Sequence, residues 1–100
     1  MTAAALMLSD AQRALLRRIV ADTMPGARVA VFGSRATGRA RPFSDVDLLV
    51  LSPDPLPDVQ RLALIDALEA SELPFRVDVV PIATLPPGLR DRVLAEALAL

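Results

Sequence analysis

The sequence contains no cysteine and no histidine, and its eleven basic residues are all arginine. Without cysteine and histidine, the chain cannot form a disulfide scaffold, a zinc site of the Cys/His type, a cysteine nucleophile or a Ser-His-Asp triad. The groups left for chemistry are carboxylates, hydroxyls, guanidinium groups and backbone amides. Such a set usually serves hard cations with oxygen ligands, of which Mg²⁺ is the common example.

Aromatic residues are also scarce, at 3% of the sequence, whereas hydrophobic residues make up 53%. A core must therefore be built from alanine, leucine, valine and isoleucine. The length of 100 residues predicts a single domain over 1–100. The apolar start, residues 1–8, is short and has no basic lead-in, so we expect a cytoplasmic protein without a membrane segment.

The charge is nearly balanced, with a formal net charge of -1. This balance argues against general nucleic-acid binding, because such proteins present an excess of basic residues to the phosphate backbone. Any recognition of phosphate must therefore be local.

Hydrophobic periodicity predicts three helices and three strands. Ser9 and Gln12 have the spacing of a capping box, which marks the start of the first helix. The predicted helices span 9–23, 58–71 and 88–100, and the predicted strands span 28–32, 45–51 and 75–80. Residues 35–44 are predicted to form a loop or one short helical turn. The fold class is therefore α/β or α+β, with a small sheet covered by helices.

The two later helices each show an apolar stripe at helical spacing. In the second helix the stripe consists of Val59, Leu62, Ile65 and Leu68, and in the last helix of Leu89, Val93, Ala97 and Leu100. We expect these residues to face the core. The apolar residues 98–100 leave open a homodimer or another partner contact through this end.

Three features of the sequence carry the chemistry. Gly33 and Ser34 directly follow a predicted strand, where glycine lets the backbone approach a ligand and the amides can face a phosphate. Asp45 and Asp47 are two residues apart on a strand, so their carboxylates project from one face about 6 to 7 Å apart along the chain. Asp78 lies among β-branched residues, where a carboxylate is costly to bury unless it is paired or bound to metal.

A cluster of three carboxylates beside a phosphate-binding turn is what metal-assisted phosphoryl or nucleotidyl transfer requires. Mg²⁺ ions can bridge nucleotide phosphates, neutralise developing charge and lower the pKa of an attacking hydroxyl. The reaction needs no histidine, cysteine or lysine.

The motif Gly33-Ser34, followed after ten residues by Asp45-Val46-Asp47, resembles the signature of the DNA polymerase beta-like nucleotidyltransferase superfamily. The match is close over 29–51, where the sequence is most similar to the minimal nucleotidyltransferase (MNT) branch of this superfamily. Asp78 resembles the third carboxylate of that branch. The resemblance implies the polymerase beta-like fold, a small mixed sheet packed by helices. It also implies that Asp45 and Asp47 bind two Mg²⁺ ions and that Asp78 binds the catalytic one and helps to deprotonate the acceptor. Gly33 and Ser34 would hold the triphosphate of ATP.

The resemblance further implies a partner. Members of the MNT branch are often antitoxins that transfer AMP from ATP to a tyrosine of a HEPN-type toxin. The short chain has little room for a domain that recognises a small acceptor, so we expect a protein acceptor. Two alternatives remain: a non-catalytic module that neutralises its partner by contact, and a small-molecule nucleotidyltransferase completed by a homodimer or a separate chain.

Individual residues also have simpler interpretations. Arg35 follows Ser34 and is well placed to bind phosphate oxygens in a bidentate manner, whereas Arg39 and Arg41 are more easily explained as solvated loop residues. Asp78 could instead pair with Arg76. We therefore expect Gly33, Ser34 and Arg35 at the nucleotide and Asp45, Asp47 and Asp78 at the metal.

Overall fold

The computed structural model describes residues 6–100, and residues 1–5, which carry most of the apolar start, lie outside the described part. The helices are α1 (Asp10–Thr23), α2 (Ser34–Thr37), α3 (Asp58–Glu69) and α4 (Pro87–Glu96), with a short 3₁₀ turn at Ile82–Thr84. The strands are β1 (Arg28–Phe32), β2 (Val46–Ser52), β3 (Val77–Pro81) and β4 (Leu98–Ala99). None of the helices within residues 6–100 is both long and apolar enough to cross a membrane.

The four strands form one mixed sheet in the order β3-β2-β1-β4. β1 runs antiparallel to both β2 and β4, whereas β2 and β3 are parallel and are joined through α3. A parallel pair needs such a crossover, because the chain must return to the end of the sheet from which it started. The predicted small mixed sheet packed by helices is confirmed.

Alternation along the strands places the main core on one face of the sheet. Val46, Leu48 and Val50 of β2 and Val31 of β1 belong to one buried cluster, and Leu16 of α1 joins them. From α3 and the end of the chain, the cluster also includes Leu64, Leu68 and Leu100. Since side chains alternate between the two faces of a strand, the residues between these positions point to the other face.

The capping box at the start of α1 is confirmed. The amide of Gln12 donates to Oγ of Ser9 at 3.0 Å, and the amide of Ser9 donates to Oε1 of Gln12 at 3.0 Å. These bonds satisfy two amides that the first turn of a helix would otherwise leave free.

The predicted buried stripe of α3 is partly wrong. Val59 is 81% exposed and Leu62 52% exposed, whereas Leu64 and Leu68 are buried. The helix carries apolar residues on more than one side, and its packing against α1 selects the side of Leu64 and Leu68.

The predicted last helix, 88–100, ends earlier than expected. α4 ends at Glu96, Ala97 is extended, and β4 then pairs with β1 through Val31 with Leu98 and Ala30 with Ala99. The free edge of β1 offers backbone hydrogen bonds that a further helical turn would leave unmade. Val93 and Leu100 are buried as expected, but Leu89 is 44% exposed.

Candidate active site

The sheet topology brings the predicted site residues to one end of the sheet. β1 ends at Phe32, directly before Gly33, and its antiparallel partner β2 begins at Val46, directly after Asp45. β3 is parallel to β2 and begins at the same end, with Asp78 opposite Asp47 in the register. Residues that are distant in sequence lie close together here, because the end of β1 and the starts of β2 and β3 are at the same end of the sheet.

The same strands place the carboxylates on the face away from the main core. Val46 and Leu48 belong to the core cluster, and Val77 and Val79 pack against it, so Asp47 and Asp78 face the other way. Asp45 directly precedes the first residue of β2, and its charge acts on Asp47. The common face predicted for Asp45 and Asp47 stays a prediction, because Asp45 lies outside the strand.

Gly33 lies against Asp47 in a conformation that only glycine adopts readily. Its φ is 76°, and a Cβ atom at this position would collide with Oδ2 of Asp47. Gly33 also caps α2: its carbonyl accepts from the amides of Ala36 and Thr37 and from the hydroxyl of Thr37. The absence of a side chain thus allows the phosphate-binding turn predicted from the sequence to touch the carboxylate predicted to bind metal.

Negative charge is concentrated around Asp47. Partial burial raises the pKa of Asp47 above its usual value, and the carboxylates of Asp78, Asp45 and Glu96 raise it further. Repulsion among these like charges favours the binding of a cation, which would remove the repulsion. The donor set, oxygen only and anionic, fits a divalent cation such as Mg²⁺.

The carboxylates do not form a closed metal cage in this conformation. Within residues 6–100, no three acidic side chains lie close enough together to hold a metal ion among themselves. Asp78 is instead paired with Arg76, whose Nε lies 3.1 Å from Oδ1, as the simpler interpretation of the sequence proposed. Both side chains of this pair are accessible, at 78% for Arg76 and 38% for Asp78, so the pair is weak and can open.

Ser34 begins α2 and is half-buried beside Gly33. Its hydroxyl has no hydrogen-bond partner among the residues that the structure describes. The hydroxyl is therefore available for a ligand without breaking a hydrogen bond to those residues.

Arg35 has a different environment from the one predicted. It is 5% exposed, and its guanidinium group donates to the carbonyls of Met7 at 2.7 Å, Pro42 at 3.0 Å and Ser44 at 2.8 and 3.0 Å. The same group lies 4.3 Å from the centre of the Phe75 ring. Burial lowers the pKa of Arg35, and the nearby Asp45 carboxylate opposes this shift. A phosphate contact would require Arg35 to give up these bonds, so this arrangement does not favour the predicted contact.

One residue of the site was missed by the sequence interpretation. Glu96, the last residue of α4, accepts a hydrogen bond from the amide of Gly33 at 3.1 Å. The prediction of a continuous helix over 88–100 gives no reason to place Glu96 near the aspartates. The signal that could locate it is the apolar end of the chain, because Leu98–Ala99 forms an edge strand and brings Glu96 to the end of β1.

Comparisons with known proteins agree with this geometry. The model of the nucleotidyltransferase domain family matches residues 13–100. The chain is 35% identical over 88 residues to a probable protein adenylyltransferase MntA of Haemophilus influenzae, an alignment that covers 88% of this chain and 77% of that protein.

Solved structures show the same similarity. A crystal structure of a toxin–antitoxin with AMP-PNP superimposes with a TM-score of 0.69 at 28% identity, covering 86% of this chain and 69% of that chain. A structure described as a minimal nucleotidyltransferase superimposes with a TM-score of 0.71 at 43% identity, covering 90% of each chain.

Proposed function

Because the chain belongs to the nucleotidyltransferase domain family, we propose that it transfers AMP from ATP to a hydroxyl group of a partner protein, a HEPN-type toxin that it thereby silences. The observation that carries this proposal is the convergence of Gly33 with Asp45, Asp47 and Asp78 at one end of the sheet. The similarity to a probable protein adenylyltransferase and to a toxin–antitoxin structure supports the protein acceptor. A reaction that consumes ATP is expected in the cytoplasm, where ATP is available.

The proposed reaction replaces a phosphoanhydride bond of ATP by a phosphoester bond to the acceptor. The acceptor oxygen forms a bond to the α-phosphorus of ATP, the bond from that phosphorus to the oxygen bridging to the β-phosphorus breaks, and pyrophosphate leaves. The hydroxyl proton passes to a base, a role for which Asp78 is available at the exposed start of β3. Gly33 and Ser34 would hold the triphosphate by an amide and a hydroxyl.

Asp45, Asp47 and Asp78 would hold two Mg²⁺ ions beside the triphosphate. When bound, these ions would neutralise phosphate charge and lower the pKa of the attacking hydroxyl. The chain's own contribution is to bring the three carboxylates to one end of the sheet. To bind metal, Asp78 must exchange Arg76 for the cation, which the exposure of this ion pair permits.

A direct test uses ATP labelled at the α-phosphate, Mg²⁺ and the purified protein encoded by the neighbouring gene. We expect label on the partner with the wild-type chain, and a loss of at least about 100-fold with Asp45→Asn or Asp47→Asn, because each substitution removes a proposed metal ligand. Asp54→Asn, in the exposed loop between β2 and α3, serves as the matched control and should leave transfer unchanged. Absence of label on the partner with the wild-type chain would contradict the proposal.

A second function, neutralisation by contact alone, is favoured by one observation: Asp78 pairs with Arg76, and no three acidic side chains within 6–100 lie close enough together to hold a metal ion. If Asp47→Asn suppresses the toxin as well as the wild-type chain does, while no AMP is transferred, contact is the mechanism. A small acceptor in place of a protein would appear in the same assay as a labelled low-molecular-weight product distinct from ATP and AMP.

A further inference from the structure

The carboxylate of Glu96 occupies a position where the proposed function requires an anion of another molecule. Its Oε1 accepts from the amide of Gly33 at 3.1 Å, the amide that we expect to face the triphosphate. One N–H group cannot donate a full hydrogen bond to a carboxylate and a phosphate oxygen at once. Glu96 and the nucleotide are therefore alternatives at this amide.

The position of Glu96 is fixed by the element that follows it. α4 ends at Glu96, and two residues later Leu98 pairs with Val31, two residues before Gly33. This pairing brings the end of α4 next to the end of β1. The contact with Gly33 thus follows from the sheet register and does not depend on a long flexible segment.

The bonds that hold the Glu96 carboxylate are few. Across residues 6–100, no arginine lies within ion-pair distance of it, and the amide of Gly33 is its hydrogen-bond partner. Its charge also acts on Asp47, which it repels. A carboxylate without a basic partner, placed beside other carboxylates, is held weakly and can be displaced.

We propose that Glu96 is a residue of the nucleotide site that binds the Gly33 amide in the free protein and is displaced by the triphosphate, so that it sets the affinity for nucleotide. This inference rests on the proposed function, because it takes the Gly33 amide as a phosphate contact. After transfer, Glu96 can return to the amide and replace the departing pyrophosphate. ATP bound to Mg²⁺ should displace Glu96 more readily than ATP alone, because the cation offsets the repulsion between the phosphates and the carboxylates of the site.

The test compares the affinity for MgATP of the wild-type chain, Glu96→Gln, Glu96→Ala and Asp91→Asn, measured by titration calorimetry. Asp91 is an exposed acidic residue of the same helix, so its substitution removes the same charge without touching Gly33. We expect Glu96→Gln and Glu96→Ala to bind MgATP about three- to tenfold more tightly than wild type, because a competing anion is removed. Asp91→Asn should bind as wild type does.

The Gly33 amide provides a second readout that does not depend on catalysis. The chain has only four glycines, so their amide resonances are readily assigned in ¹⁵N–¹H spectra. The Gly33 resonance should move in Glu96→Ala without nucleotide, and in the wild-type chain it should move when MgATP is added.

The opposite pattern would overturn the inference. If Glu96→Ala binds MgATP more weakly while Glu96→Gln binds normally, the carboxylate only supports the conformation of Gly33. Equal affinity in all four proteins, a gain of the same size in Asp91→Asn, or no MgATP binding in any of them would also overturn it. If the Glu96 variants bind more tightly but the wild-type chain transfers no AMP, the inference stands and the proposed function fails.

Discussion

Gly33 is restricted to glycine by its backbone conformation and by its neighbour. Its φ of 76° is unfavourable for other residues, and a Cβ atom would meet the Asp47 carboxylate. Asp47 is a short side chain that can rotate, so the collision is expected to displace a site carboxylate and not to unfold the chain. A substitution at Gly33 should therefore affect ligand binding more than stability.

Gly26 provides the matched control for this prediction, because its φ is 78° and a Cβ atom there would contact nothing within 4 Å. We expect Gly26→Ala and Gly33→Ala each to lower the free energy of unfolding by about 1 to 2 kcal/mol, the cost of the backbone conformation. Only Gly33→Ala should lose MgATP affinity, by at least about tenfold. Urea unfolding and calorimetry measure the two effects, and equal MgATP affinity in both variants would show that Gly33 does not position Asp47.

The negative charge of Asp47 is unfavourable in the fold without metal. Because its pKa is raised by burial and by three neighbouring carboxylates, its ionised form destabilises the folded chain. Asp47→Asn should therefore raise the free energy of unfolding without metal at pH 7.5, by up to about 1 kcal/mol after allowance for solvent screening.

The sign of the pH dependence follows from the direction of this shift. A carboxyl group with a raised pKa in the folded state destabilises the fold when it is ionised, and the effect fades as the pH falls through that raised pKa. The advantage of Asp47→Asn over wild type should therefore shrink between pH 7.5 and pH 4.5 in urea unfolding without metal. Asp54→Asn, which is exposed, should show no such change, and an advantage of Asp47→Asn that grows on acidification would contradict the assignment.

The loop between α2 and β2 is held in place by Arg35. The bonds from its guanidinium to the carbonyls of Pro42 and Ser44 fix the segment that leads into Asp45, and its bond to Met7 fixes the segment before α1. Arg35, which the sequence predicts to bind the nucleotide, thus orders the loop that leads into Asp45.

We expect Arg35→Ala to lower the free energy of unfolding by about 2 to 4 kcal/mol, because it removes the hydrogen bonds of a buried guanidinium group to three carbonyls and the contact with Phe75. Arg35→Lys should recover only part of this loss, since one ammonium group cannot reach all three carbonyls. Arg41→Ala, an exposed residue of the same loop, should change stability by less than about 0.5 kcal/mol. If Arg35→Ala keeps its stability in urea and loses MgATP affinity instead, the original prediction of a phosphate contact is correct.

The helices show how far local pattern predicts packing. The start of α1 follows from its capping box, because capping depends on residues three apart. In α3 the periodicity alone does not select between the side of Leu62, which is half exposed, and the side of Leu64, which is buried. That choice is made by α1, which lies far from α3 in sequence and packs against it in the fold.

At the scale of the whole molecule, ligand binding and folding should be linked. A ligand that binds only the folded chain stabilises it by about 2.7 kcal/mol at 100 times its Kd, which for a domain of about this size raises Tm by roughly 10 to 20 °C. We expect this rise with MgATP in the wild-type chain and not with ATP in EDTA, because the carboxylates of the site repel a triphosphate without its cation. A thermal scan with ATP, with and without Mg²⁺, measures it. The same rise in EDTA would show that the carboxylates do not act through a cation.

The sequence determined the local features of this protein: the first three strands, the alternation along them, the glycine after β1, and the similarity that the motif residues carry. They depend on residues near one another along the chain, whose side chains follow the period of the strand or helix. The tertiary structure decided which side of α3 is buried, that Arg35 is enclosed by carbonyls, and that Glu96 reaches the Gly33 amide. These three features depend on the sheet register and on contacts between segments that are distant in sequence. No local periodicity of the sequence encodes such contacts.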